Sequence, residues 1–167
     1  MIRGLVIREA REGDAEAIRE LLDAAFATAD ESRLVEKLRA DGDRVLELVA
    51  LQEGELVGEI FFSRLQVVGE EGHFDALALG PLAVAPKYQR TGIGRALMEH
   101  AHPVLAARGE RLSVVLGEPA YYGRFGYSHE RAAGFESKYQ SAYLQALAWG
   151  EAPVSGRLRY PAAFEGL

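Results

Sequence analysis

A glycine-bearing turn lies between a strand-like run and an apolar helical segment in the middle of this sequence. Residues 80–84 form a short apolar run, and apolar residues recur at helical spacing from Ala96 onward. Between them, Gly92 and Gly94 let the backbone approach a ligand closely, and the first helical turn offers free amide groups that attract anions. This order of elements indicates a phosphate site, and we expect a cofactor that carries a pyrophosphate.

The residues of this turn exclude two familiar phosphate motifs. A P-loop requires Gly-Lys followed by Ser or Thr, whereas Gly94 is followed by Arg95 and Ala96. The dinucleotide fingerprint requires Gly or Ala three residues after its second glycine, and that position is Leu97. The turn therefore follows a different pattern.

That pattern resembles motif A of the GNAT family of N-acetyltransferases. The spacing Gln-x-x-Gly-x-Gly runs from Gln89 to Gly94, after a Leu-Ala-Val run at 82–84. In the family this loop binds the pyrophosphate of acetyl-coenzyme A. The resemblance implies the following cofactor-binding residues: Leu82, Ala83, Val84, Gln89, Arg90, Thr91, Gly92, Ile93, Gly94 and Arg95.

These residues would act mainly through their backbone. Residues 82–84 would pair with the pantetheine arm as one more strand edge, and the amides of 90–95 would bind the phosphates, with the Thr91 hydroxyl as a further donor. A Cβ at Gly94 would then occupy the place of the anion. The alternative is an ordinary strand-to-helix connection whose glycines only relieve strain.

A second motif strengthens the resemblance. Tyr122 is followed after three residues by Gly126 and Tyr127, where the family usually has Gly-Phe. Residues 115–127 and the tail 159–164 are also similar to a bacterial branch of predicted acetyltransferases. The resemblance thus covers nearly the whole chain.

The resemblance implies a fold of the α/β (α+β) class, with a mixed and mostly antiparallel sheet of about six to seven strands and helices on both faces. Sequence periodicity predicts the same order of elements, β-α-α-β-β-β-α-β-α-β. We expect strands at 44–52, 55–68, 74–84 and 112–116, a long helix at 92–108, and strand-like pieces near 136–147 and 156–160.

The resemblance implies that Tyr122 is a general acid that assists the departure of the coenzyme A thiolate. Its structural alternative is an aromatic residue that seals a helix to the sheet, and its neighbour Tyr121 is expected to point elsewhere because adjacent helical positions differ by about 100°. The general base is either Glu118 or an ordered water; Glu118 would otherwise be a solvated carboxylate at a helix start. Glu59, His73 and Asp75 are weaker candidates.

Composition limits the class of protein further. The 167 residues fit one domain, 1–167, with a net charge of −6, no cysteine and no apolar run long enough to span a membrane. We therefore expect a cytoplasmic protein without disulfides, metal, nucleic-acid partner or membrane association. Lys87, Arg90 and Arg95 would make the cofactor site locally positive, and the acidic remainder would favour a cationic amine.

Together these features predict an acyltransferase that moves an acetyl group from acetyl-coenzyme A to an amine by direct attack in a ternary complex. The acceptor is a small-molecule or peptide amine of unknown identity, and its pocket would be shaped by the first two helices and the last forty residues. The alternative is a non-catalytic acyl-coenzyme A binding or regulatory module, and a nucleotide-binding protein is a more distant one. A homodimer is common in this fold and is expected here.

Overall fold

The computed structural model describes residues 2–166 of the chain. Within these residues, five α-helices and eight strands follow one another in an order that matches the predicted one through its first nine elements, and the tenth is the short helix α5 where a strand was predicted. The elements are β1 (Leu5–Glu9), α1 (Ala15–Ala25), α2 (Asp30–Ala40), β2 (Arg44–Gln52), β3 (Glu55–Gly69), β4 (Gly72–Val84), α3 (Ile93–Ala107), β5 (Leu112–Leu116), α4 (Pro119–Tyr122), α5 (His129–Ala132), β6 (Phe135–Glu136), β7 (Leu144–Ala148) and β8 (Gly156–Arg159).

The strands form one mixed sheet in the order β1-β2-β3-β4-β5-β7. Strand β8 pairs with β3 beyond the end of β2, and β6 pairs with β8. Only the β4–β5 and β6–β8 pairs are parallel among the described strands, which confirms the predicted, mostly antiparallel sheet. The count is eight because the strand-like piece near 136–147 is interrupted by turns and gives two strands, β6 and β7.

Helices cover both faces of this sheet, as predicted. The apolar stripe of α3, with Leu97 and Met98, packs on one face of β2, β3 and β4. Helices α1 and α2 bury Leu22 and Leu38 against Phe61 on the opposite face. The sheet is therefore enclosed between two layers, and its ligand access lies where strands separate.

Strands β4 and β5 separate after a short stretch of parallel pairing. Their register covers Leu77–Leu79 against 113–115. Strand β4 then continues to Val84 and pairs only with β3, whereas β5 ends at Leu116. The result is a gap with an unpaired backbone edge on β4.

A buried polar chain ties α3 to the segment that follows α4. The Tyr127 hydroxyl lies 2.8 Å from Ser113 Oγ and 3.0 Å from His102 Nε2. His102 also packs against Trp149, with ring centroids 5.3 Å apart. These bonds explain why tyrosine stands at 127 where the family usually has phenylalanine, and they hold Tyr127 against the ring of Tyr122, at a centroid distance of 6.0 Å.

Because His102 is buried in this set of hydrogen bonds, we expect the protein to lose stability in mild acid. Burial lowers the pKa of His102 from 6.5 to about 4, so the unfolded state binds a proton that the folded state excludes. Between these two pKa values stability falls as pH falls, by roughly 2–3 kcal/mol in total. Urea unfolding at pH 7 and pH 4.5 should show a smaller loss in His102→Gln than in the wild type, whereas exposed His100→Gln should behave like the wild type.

Candidate active site

The predicted phosphate loop leads directly into helix α3. Two residues before the helix have left-handed backbone conformations, Arg90 with φ 65° and Gly92 with φ 96°. The first helical hydrogen bond runs from Ala96 N to Gly92 O at 3.0 Å. The amides of residues 92–95 precede that bond, and no hydrogen bond within the described part of the chain uses them. Four free donors at a helix start are a suitable site for an anion.

A pocket of about 540 Å³ opens above these amides. Its lining includes the loop residues Arg90 and Arg95, and also Tyr121 and Arg124 from the segment after β5. The Arg124 guanidinium lies over the Tyr121 ring, 4.9 Å from its centroid. Three arginines thus concentrate positive charge here in a chain whose net charge is −6, and Arg124 was not predicted from the sequence.

Tyr121 lies beside Gly94. A Cβ at Gly94 would lie 2.7 Å from the Tyr121 hydroxyl oxygen. Tyr121 and Tyr122 point to different places, as the helical spacing predicts: Tyr121 lines the pocket above the loop, and Tyr122 lines the gap between β4 and β5. That an anion lies beside Gly94 stays a prediction.

Two polar side chains of the loop hold its shape. Gln89 Nε2 donates to the carbonyl of Val84 at 3.1 Å. The Thr91 hydroxyl donates to the carbonyl of Tyr88. The predicted contact of the Thr91 hydroxyl with phosphate would therefore compete with a bond that closes the turn, whereas its backbone amide stays free.

The backbone groups of Leu82, Ala83 and Val84 on β4 do not all face the same side of the strand. Ala85 N donates to Val57 O on β3 at 2.8 Å, and backbone groups alternate sides along a strand. Ala83 therefore faces β3 with its backbone, and its side chain is buried beneath α1 and α2. Leu82 and Val84 direct their backbone into the gap, so the gap presents donors and acceptors from these two residues.

Tyr122 lies in the gap between β4 and β5. Its ring lies over Gly117, where a Cβ would overlap ring atoms, so this placement of the ring requires a glycine there. Burial, followed by the neighbouring Tyr121, raises the pKa of Tyr122 to about 12. None of the described hydrogen bonds uses its hydroxyl group. The phenol is thus protonated and free to donate.

The gap widens into a cavity of about 320 Å³. One wall consists of the separating ends of β4 and β5, and Tyr122 lies between this wall and the opposite one. The opposite wall has six residues from the α1–α2 region and the C-terminal segment, namely Phe26, Glu31, Leu34, Tyr139, Tyr160 and Phe164. The cavity thus lies between the β4–β5 ends and the two regions that were predicted to shape the acceptor pocket, the first two helices and the last forty residues.

Glu118 and Glu59, two candidates for the general base, do not line the cavity, whereas Glu31 does. Glu118 is exposed, accepts a hydrogen bond from Ala120 N at 3.4 Å as the cap of α4, and lines neither pocket. Glu59 is fully buried beneath α2 beside Glu47 and Arg39. Glu31, which the sequence analysis missed, is the carboxylate that lines the cavity.

Metal-binding clusters and membrane-spanning helices are both absent among residues 2–166. No cluster of three or more His, Cys, Asp or Glu side chains with metal-binding geometry occurs there. No helix in that range is both long and apolar enough to cross a bilayer.

Comparison with known proteins gives the family. A model of the GNAT acetyltransferase domain matches residues 6–129. The N-acetyltransferase YhbS of Escherichia coli K12, described as uncharacterized, is 38% identical over 135 residues, which are 76% of this chain and 80% of YhbS. This chain therefore belongs to the GNAT family of acetyltransferases.

Solved structures agree with this assignment. YhbS of Escherichia coli in complex with coenzyme A superposes with a TM-score of 0.87 at 29% identity, covering 98% of this chain and 93% of YhbS. A GNAT acetyltransferase of Brucella melitensis in complex with acetyl-coenzyme A gives 0.83 at 34% identity, covering 96% and 98%. The fold predicted from the sequence is thereby confirmed.

Proposed function

We propose that this chain transfers the acetyl group of acetyl-coenzyme A to an amine in a ternary complex. The observation that carries the proposal is the gap between β4 and β5. The β4 edge of this gap runs from Leu82, which lines the cavity with Tyr122, to Val84, which lines the anion pocket at the start of α3. A cofactor laid along this edge would meet an acceptor in the cavity. Complexes of the Brucella and Escherichia relatives with acetyl-coenzyme A and coenzyme A support this choice of cofactor.

The cofactor would be bound in two places, the anion pocket and the gap beside β4. The free amides of 92–95 and the three arginines of the anion pocket would hold the pyrophosphate. The backbone groups of Leu82 and Val84 would pair with the pantetheine arm in the gap, in the manner of an added strand. The thioester would then lie beside Tyr122, and an amide of β4 would polarise its carbonyl oxygen.

Acetyl transfer would proceed by direct attack. The amine nitrogen forms a bond to the thioester carbon, the carbon–sulfur bond breaks, and coenzyme A leaves with the electron pair on sulfur. A covalent cysteine intermediate is excluded because the chain contains no cysteine. Holding both reactants in one cavity would supply much of the rate.

Tyr122 would stabilise the leaving thiolate. Its pKa of about 12 lies well above the value of about 8.5 that is usual for a thiol. Complete proton transfer from the phenol to the thiolate is therefore uphill, and a hydrogen bond that strengthens as charge develops on sulfur is the favoured role. This assignment refines the general acid expected from the sequence.

Acetyl transfer can be assayed through the coenzyme A thiol that it releases, without a signal from thiols of the protein itself. The protein is incubated with acetyl-coenzyme A and single amines, and the released coenzyme A thiol is detected with a disulfide reagent, to which a cysteine-free chain contributes no signal. Mass spectrometry of the amine should show one added acetyl group. Tight coenzyme A binding without transfer to any amine would favour the non-catalytic binding module instead.

Tyr122→Phe should lower kcat by roughly 10- to 100-fold, because one hydrogen bond to a developing anion is lost. The KM for acetyl-coenzyme A should change little, since Tyr122 lies outside the phosphate pocket. Tyr143→Phe, at an exposed tyrosine, is the matched control and should leave both constants unchanged. An unchanged kcat in Tyr122→Phe would limit this residue to packing.

A further inference from the structure

The cavity beside Tyr122 contains one charged side chain. Its lining is otherwise apolar or aromatic, with Leu34 and Leu82 among its aliphatic members. Glu31 Oε1 is buried and has no hydrogen-bond partner within the described residues. An unpartnered buried carboxylate oxygen is costly, and a ligand that donates hydrogen bonds to it would remove that cost.

The aromatic residues form a continuous wall opposite β4 and β5. Tyr139 and Tyr160 contact edge to face, with centroids 5.1 Å apart, and Tyr160 lies 5.1 Å from Phe164. Burial raises the pKa of Tyr160, so this wall carries no charge. Its residues lie beyond residue 129, where the match to the family model ends.

The nearest lysine does not change the charge of the cavity. Lys138 Nζ lies over the Tyr139 ring, 5.1 Å from its centroid. It lines the neighbouring groove with Gln140 and Ser141, and not the cavity itself. The lining thus offers one anion, no cation and an aromatic surface.

We propose that the acceptor is a small amine with a single positive charge and an apolar, preferably aromatic, body, and that Glu31 binds its ammonium group. This inference rests on the proposed acetyl transfer. The aromatic wall would hold the body and contribute cation–π attraction near the ammonium. An acceptor carboxylate would find no counter-charge, and a second ammonium would find no second carboxylate.

Glu31 would also set the direction of attack. The ammonium gives up one proton before its nitrogen can form the bond to the thioester carbon, and Glu31 is the nearest carboxylate in the lining to accept it. That proton passes to solvent. After the attack the nitrogen gives up a second proton, which the leaving thiolate takes up, so the products are the N-acetyl amine, coenzyme A thiol and one released proton. Glu31 is therefore a binding residue that touches the acceptor.

Acceptor selectivity tests the proposal with a matched set. 2-Phenylethylamine, L-phenylalanine and L-phenylalaninamide share one aromatic body and differ in the group beside the amine. We expect acetylation of phenylethylamine and phenylalaninamide, and a kcat/KM for phenylalanine that is lower by roughly 100-fold or more, because its carboxylate would face Glu31 unpaired. Spermidine should also be a poor acceptor. Equal or better use of phenylalanine or spermidine would overturn the proposal.

Glu31→Gln tests the residue itself. Removing the charge at constant shape should raise the KM for phenylethylamine by roughly 10- to 100-fold and reduce the discrimination against phenylalanine. The KM for acetyl-coenzyme A should stay within about twofold, since Glu31 does not line the phosphate pocket. Asp30→Asn, at the preceding residue, which is exposed and 3.9 Å from Arg33, is the control and should match the wild type. An unchanged amine KM in Glu31→Gln would overturn the assignment.

Calorimetry separates this inference from the transfer reaction. The protein saturated with coenzyme A is titrated with phenylethylamine, for the wild type and for Glu31→Gln. Binding that the substitution weakens, without acetylation in the thiol assay, would support the amine site and contradict the proposed transfer. Acetylation of other amines without binding of phenylethylamine would contradict the amine site and leave the transfer standing.

Discussion

Gly94→Trp should abolish coenzyme A binding, and Gly94→Ala should weaken it by roughly 10-fold or more. The Cβ added by alanine would lie 2.7 Å from the Tyr121 hydroxyl, so the tyrosine side chain would have to shift. Tyr121 lines the pocket that we assign to the pyrophosphate, and we expect the shift to narrow that pocket. Calorimetry with coenzyme A measures the affinity, and for the wild type saturation at about 100 times Kd should add about 2.7 kcal/mol to the free energy of unfolding.

The cause of that loss can be determined with a double variant. In Gly94→Ala/Tyr121→Phe the clashing oxygen is gone, and the next atoms near the added Cβ are 3.8 and 3.9 Å away. Binding should return close to the level of Tyr121→Phe alone. If it does not return, the added methyl group itself occupies the anion site, as the sequence analysis expected. ATP and NAD serve as specificity controls and should bind neither the wild type nor the variants.

The predicted elements agree closely with the observed ones where hydrophobic periodicity is strong. Strand β3 and helix α3 have apolar patterns long enough to define their type. The glycine turn was predictable because each glycine has a local structural reason. Gly92 has a left-handed conformation, and a Cβ at Gly94 would lie 2.7 Å from the Tyr121 hydroxyl. Local sequence thus determined the cofactor end of the site.

The acceptor end could not be predicted in this way. Helical spacing separates Tyr121 from Tyr122, but it does not reveal which of the two lines the acceptor cavity. Glu31 lies in the first turn of α2, where a carboxylate is usual for electrostatic reasons alone. Its relation to Tyr139 and Tyr160 arises only when the C-terminal segment folds against α2, so no local pattern reveals it.

The two ends of the site therefore follow different physical rules. The cofactor end, as proposed, uses backbone amides and glycines together with three arginines, so its recognition should survive changes in most other side chains. The acceptor end depends on the charge and shape of a few side chains that distant segments bring together. We expect relatives that share the glycine turn and differ at Glu31 or Tyr160 to keep the cofactor and to use other amines.

Arg39→Met should destabilise the fold by about 3–5 kcal/mol, the range found when one partner of a buried ion pair is removed. Arg39 makes two hydrogen bonds to Glu47, at 2.9 and 2.6 Å, and lies 3.9 Å from Glu59. Both carboxylates are buried on neighbouring strands. Arg44, at 3.2 Å from Glu47, is a partly exposed second cation and would replace Arg39 only in part.

The choice of control variant depends on which of the two carboxyl groups, Glu47 or Glu59, is ionised. Burial would raise the pKa of Glu47, but the hydrogen bonds and charge of Arg39, together with hydrogen bonds from Glu59 and Arg44, outweigh it and hold the pKa below its usual value. Burial, reinforced by Glu47, raises the pKa of Glu59 well above its usual range. One carboxylate is thus charged and the other resists ionisation, and Arg39 is the less exposed of the two counter-charges.

Glu59→Gln is the matched variant, because glutamine imitates a protonated carboxyl group. A folded-state pKa above the unfolded value means that Glu59 contributes stability at low pH and loses it as pH rises through the folded pKa. Glu59→Gln should therefore become more stable relative to the wild type between pH 5 and pH 8 in urea unfolding. Arg39→Met should remain strongly destabilising over the same range because Glu47 stays charged, and a loss below about 1 kcal/mol would mean that water reaches this pair in solution.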